Sequence, residues 1–74
     1  MDEKQFTIQL GQRIKEIRKY RKMTQGELAC AAKIAPSNIS EIEHGKVTIL
    51  VTTLMKITAA LDVEPNEILD FYKN

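Results

Sequence analysis

The sequence is poor in the residues that build covalent or metal chemistry. A single cysteine, Cys30, stands among 74 residues, which excludes an internal disulfide and any multi-cysteine metal site and suits a reducing compartment. The single histidine, His44, has no second imidazole or thiol beside it, so no metal-ligand set forms around it. No Ser/Cys–His–acid set and no conspicuous pair of carboxylates can be placed, which leaves no enzyme mechanism to build. Long apolar runs are missing too. The longest mostly apolar stretch, Val47 to Met55, contains three threonines and falls far short of the ~20 residues of a membrane helix. The start, Met1-Asp2-Glu3-Lys4-Gln5, is too polar for a secretory signal. A cytoplasmic protein is expected, with no metal, cofactor, membrane or small-molecule ligand.

At this length the chain is expected to form one domain over residues 1–74, with roughly 60% of its unfolded surface buried and no room for a deep pocket. Its 43% apolar and 28% charged residues read as globular rather than disordered. A surplus of charge is almost absent, at a formal +1, but the distribution is uneven. Residues 1–22 carry seven Lys or Arg against Asp2, Glu3 and Glu16. Residues 47–74 carry two against Asp62, Glu64, Glu67 and Asp70. Contact with a polyanion is therefore expected on one side only.

What is present is helical periodicity. Phe6, Leu10, Ile14, Ile17 and then Tyr20 or Met23 make one apolar stripe, a helix over about 5–21. Thr24 followed by Glu27 is a capping box that opens a second helix over about 25–32, with Leu28, Ala29 and Ala32 inward and Cys30 outward. Lys33 to Pro36 interrupts it. Pro36 suits the first turn of a third helix, Ile39 and Ile42 face its core side, and Gly45 ends it. Two helices this short are marginal alone and must pack on each other and on the first. Lys46-Val47-Thr48-Ile49 reads as a loop, because one strand would have no partner. Val51, Leu54, Met55, Thr58 and Leu61, with Ile57 alongside, form the stripe of a fourth helix, and Pro65 opens a last one over 65–72. The expected class is all-α: a compact bundle of five helices containing a helix-turn-helix.

Met23-Thr24-Gln25-x-Glu27-Leu28-Ala29, Ile34, and Ile39-Ser40-x-Ile42-Glu43-x-Gly45-Lys46 resemble the phage-repressor helix-turn-helix family, the Cro/C1-type (XRE-like) regulators with a lambda repressor-like fold. Leu54-x-x-Ile57-x-x-Ala60-Leu61-x-Val63 and Glu67-Ile68-Leu69 continue the match in register, so it spans about residues 8–70. The resemblance implies binding of double-stranded DNA through the motif at 25–44. The outer face of the third helix, Pro36, Ser37, Asn38, Ser40 and Glu41, is then expected to meet base edges in the major groove. Asn38 suits adenine, Glu41 suits cytosine N4, and Pro36 offers only apolar contact. Gln25, His44 and Lys46 are implied phosphate contacts, the loop residues through backbone N–H as well as side chain. Arg18 and Glu43 occupy the places of an ion pair that positions the groove-facing helix.

This chain departs from the pattern in three places. Lys33 stands where the tight turn usually has glycine, and Leu50 where a serine usually caps the fourth helix, leaving Thr48 or Thr52 to substitute. The reading face carries no Arg or Lys, and Glu41 repels phosphate. In the last helix Leu69 is expected to cap the core, while Ile68, Phe71 and Tyr72 exceed one core face and are expected at a homodimer interface. Such a dimer sets two reading helices about 34 Å apart on a near-palindromic operator. The expected role is a repressor or controller. The alternative, kept open by the acidic later two-thirds, is an antitoxin-like protein-interaction module on the same fold.

Overall fold

A computed structural model of the chain describes residues 1–72. It is all-helical among those residues: α1 (Glu3–Tyr20), α2 (Gln25–Ala32), α3 (Pro36–Glu43), α4 (Val51–Leu61) and α5 (Pro65–Ile68), the last running into a 3₁₀ turn over Leu69–Phe71. No described helix is long and apolar enough to cross a membrane.

Local chemistry sets most of the boundaries. Asp2 accepts from Gln5 N at 2.8 Å, so α1 starts two residues earlier than the apolar stripe alone indicates. Thr24 and Glu27 exchange the two bonds of a capping box, at 3.0 and 2.8 Å. Glu67 reaches back to Glu64 N at 2.7 Å and does half the same for α5. Four helix ends share one device, a left-handed residue followed by a paired return of N–H groups onto the last carbonyls. The left-handed residues are Lys22, Lys33, Gly45 and Asp62, with φ of 58°, 60°, 70° and 57°. At the second, Lys33 N and Ile34 N return to Cys30 O and Ala29 O. Lys33 thus takes the conformation that glycine would adopt without strain, and the apolar residue after it, Ile34, packs against the core and secures the turn.

Leu10, Ile14, Ile17, Leu28, Ala29, Ile39, Ile42, Ile57, Leu61 and Ile68 form one core drawn from all five helices. Gly11 is the point of closest approach. A methyl group there would run into the backbone carbonyl of Ile42, so α1 and α3 touch backbone to backbone. Arg13 Nε donates to Glu67 O and Arg21 Nη2 to Asp62 O, both at 3.1 Å, and tie α1 to the C-terminal half.

Several expectations need correction. Tyr20 is 84% exposed, and Met23 takes the inner place that the two shared in the stripe. On α4 the core face is Ile57, Thr58 and Leu61, with Leu54 half-buried; Val51 and Met55 stand outside, 76% and 54% exposed. Val51 and Met55 lie one turn apart on the same side of α4, beside the face of Leu54, Ile57 and Leu61 that packs inward. Neither Thr48 nor Thr52 caps α4: its N-cap, Leu50, has no side-chain cap bond and is 68% exposed. The last α-helix is one turn rather than two. Ile68 is fully buried, so it has no surface to lend to a partner. The 3₁₀ turn folds Phe71 and Tyr72 back on Phe6, with ring centroids 5.4 and 5.1 Å away. Phe71 is thereby half-buried within the protomer, and only Tyr72 of the three keeps an exposed ring.

Replacing Gly11 by alanine should lower stability by about 1–3 kcal/mol, because neither backbone can withdraw without opening the core. In thermal unfolding followed by circular dichroism this is a drop of roughly 4–8 °C for each kcal/mol. An unchanged midpoint would show that α1 and α3 do not pack as closely as described.

Candidate nucleic-acid interface

The packing of α3 decides which of its side chains can meet another molecule. Ile39, Ile42 and Glu43 are buried beneath it. The opposite side presents Ser37, Glu41 and His44, which recur every three or four residues and are all exposed. Pro36 is exposed at the first turn, while Asn38 and Ser40 flank the row half-buried. Asn38 leans toward the loop, in a shallow cleft shared with Ile42, Val47, Thr48, Ile49 and Thr53. The sequence-expected readers therefore share one face, with Ser37 and Glu41 along its crest and Asn38 at its edge.

His44 joins this crest with a fixed orientation. Its Nδ1 lies 2.7 Å from Ser40 O, and a carbonyl only accepts, so Nδ1 carries the hydrogen and donates it. Nε2 is left at the outer edge of the ring. The Ser40 hydroxyl lies 3.5 Å from the same nitrogen.

The loop after α3 departs from one expectation. The N–H groups of His44, Gly45 and Lys46 bond Ser40 O, Ile42 O and Glu41 O at 3.0–3.1 Å, closing the helix end. They are spent there, so His44 and Lys46 can offer a phosphate only their exposed side chains.

Beneath the crest lies a buried polar cluster. Arg18 Nε and Nη2 donate to Glu43 Oε2 and Oε1 at 2.7 and 3.0 Å, a bidentate pair. Both residues are more than nine-tenths buried. Arg18 Nη1 also donates to Met23 O at 2.7 Å, in the link between α1 and α2. The first residue of α2 completes the cluster, with Gln25 Nε2 donating to Glu43 Oε1 at 3.0 Å. Among the described residues no buried side-chain nitrogen or oxygen lacks a partner. The Gln25 contact escaped the sequence reading, because residues 18 positions apart leave no periodic signal. The exposed apolar residues Leu50, Val51 and Met55 were missed as well, since an apolar stripe does not show which of its members lie off the packed face.

A short helix pinned from below, with a polar crest clear of the core and a second helix set against it through a tight turn, defines a helix-turn-helix DNA-binding transcriptional regulator. The chain belongs to the helix-turn-helix domain family, whose model matches residues 11–73. It is 39% identical over 59 residues to the immunity repressor protein of Bacillus phage phi105, covering 80% of this chain but only 41% of that protein. It is 36% identical over 62 residues to the control protein C.BamHI of Bacillus amyloliquefaciens, covering 82% of this chain and 76% of that one. Among solved structures it resembles the restriction-modification controller protein C.AhdI from Aeromonas hydrophila. That match has a TM-score of 0.82 and 29% identity, over 84% of this chain and 94% of the other.

Glu43→Ala should be costly, because it strands a buried guanidinium. The expected loss is about 3–5 kcal/mol, measured by urea unfolding. A loss under about 1 kcal/mol would mean that Arg18 finds water or another acceptor at once.

Proposed function

We propose that this protein is a repressor or controller that binds a near-palindromic operator as a homodimer, in the cytoplasm on the chromosomal DNA. The observation that carries this reading is the crest of α3, exposed along its length and held from beneath by the Arg18–Glu43 pair. Pro36, Ser37, Asn38, Ser40 and Glu41 read base edges in the major groove, with Glu41 accepting from an amino group such as cytosine N4. Gln25 and the side chains of His44 and Lys46 contact phosphate and set the register.

The crest carries no Lys or Arg and one acid, so a single copy neutralises few phosphates. A second copy on an adjacent half-site supplies the missing affinity. The surface for it is the exposed apolar group at the start of α4, Leu50, Val51 and Met55, in place of Ile68 and Phe71. Leu50 is telling in this respect. It holds an N-cap position where a serine or aspartate would contribute about 1 kcal/mol, and it exposes its side chain there instead. A local preference set aside in this way marks a residue kept for another purpose.

The test is an operator titration. Asn38→Ala and Glu41→Ala should change which base pairs are preferred, whereas Gln25→Ala should weaken all sites evenly. If the three behave alike, α3 is not the reading helix. If wild-type binding is indifferent to sequence, the protein-interaction reading takes over.

For the dimer, Met55→Glu should leave the helical spectrum intact, shift sedimentation to the monomer and weaken operator binding. Sedimentation unchanged by Met55→Glu would place the interface elsewhere.

A further inference from the structure

The contact between Gln25 and Glu43 joins the two halves of the motif and has a direct consequence for how DNA is held. We infer that Glu43 is a positioning residue for the phosphate contact: its carboxylate takes one Nε2 hydrogen of Gln25 and so presents the other to the DNA backbone. The inference rests on the DNA-binding function proposed above.

The argument is one of donors and acceptors. A phosphate has only acceptor oxygens, and so does an ionised carboxylate. The Gln25 side chain offers two hydrogens, both on Nε2, and one acceptor, Oε1. Left alone, the carboxamide could turn either end outward, and Oε1 outward would repel a phosphate. Glu43 removes that freedom. Its Oε1 lies 3.0 Å from Gln25 Nε2 and can accept from nothing else of that side chain. Glu43 is itself immobile, held by two Arg18 bonds and buried at the last residue of α3. Gln25 is half-buried at the first residue of α2, where the helix N-terminus also favours an anion. The amide nitrogen thus bridges two acceptors, one inside the protein and one on the DNA. The same carboxylate that orients α3 also orients the anchor on α2, which keeps the phosphate contact and the reading crest in one frame.

A double-mutant cycle tests this. Glu43→Gln should weaken operator binding about tenfold, the loss of one hydrogen bond to a charged group. The part of that loss that runs through Gln25 should vanish once Gln25→Ala is present. The double variant should therefore bind more tightly than the product of the two single losses predicts, even though loss of the Arg18 pair weakens binding in both backgrounds. Fold losses that multiply would overturn the inference, because a merely structural Glu43 weakens binding whatever stands at residue 25. Should Glu43→Gln fail to fold, the wild-type protein decides by NMR. One Gln25 Nε2 hydrogen should be shifted downfield and protected from exchange in the free protein, and the other should shift on adding operator duplex. Two Nε2 hydrogens at ordinary glutamine shifts, both exchanging freely in the free protein, would refute it. If wild-type protein binds no operator at all, the proposed function fails, and the Nε2 hydrogens of the free protein still report whether the Glu43 bond exists.

Discussion

The pair between Arg18 and Glu43 is the constraint on which the rest of the structure depends. It joins the C-terminal part of α1 to the last residue of α3, and through Met23 O and Gln25 it reaches the link before α2 and that helix's first residue. A buried ion pair contributes little net stability, because desolvating both charges offsets most of their attraction. Its contribution is geometric. A bidentate guanidinium–carboxylate contact tolerates little rotation, so α3 cannot roll about its axis without breaking two short bonds. The apolar contacts of Ile39 and Ile42 are non-directional by comparison and would tolerate such a roll. The close packing of Gly11 against Ile42 then sets how far α3 stands from α1.

Electrostatics follows from the same arrangement. The N-terminal third looked strongly basic, yet three of its arginines are engaged within the protein. Arg18 is buried on Glu43, Arg13 bonds Glu67 O and Glu16, and Arg21 bonds Asp62 O. Bonds to neutral carbonyls leave the charges of Arg13 and Arg21 in place, so only Arg18 is withdrawn from the surface, and the region stays basic through those two and its lysines. The reading crest is neutral to acidic, so specificity resides in the shape and acceptors of α3, while affinity depends on surrounding side chains and on a second copy.

Much of this was legible in the residues, for identifiable reasons. Thr24 with Glu27, Pro36, and Gly45 are local signals whose physics acts within one turn, and they place α2 and α3 to within a residue. The inward positions Leu28, Ala29, Ile39 and Ile42 follow from a 3.6-residue period. Periodicity failed where it could not know what lies opposite. Val51 and Met55 were read into the apolar stripe of α4, but Leu54, between them in sequence, packs on the core while those two stand beside that face. Ile68 reads as surplus because four large apolar residues in one helix over 65–72 exceed a single core face, whereas the helix ends at Ile68 and the following turn sends Phe71 elsewhere. Phe71 finds its partner in Phe6, 65 positions away, and no local pattern encodes that encounter. At the candidate site the crest could be named from the motif. The Gln25–Glu43 bond and the spent N–H groups of His44 to Lys46 could not, since both depend on three-dimensional closure.

The most direct measurement replaces the pair as a unit, Arg18→Met with Glu43→Leu, and compares stability with operator affinity. If the pair exists to orient α3, the double variant keeps or raises the unfolding midpoint, as an apolar replacement of a buried pair often does. Its affinity for the operator should nevertheless fall by about tenfold or more, the 1.4 kcal/mol scale of one lost directional contact. Full operator affinity in a stably folded double variant would contradict the account, because apolar packing alone would then suffice to aim the helix.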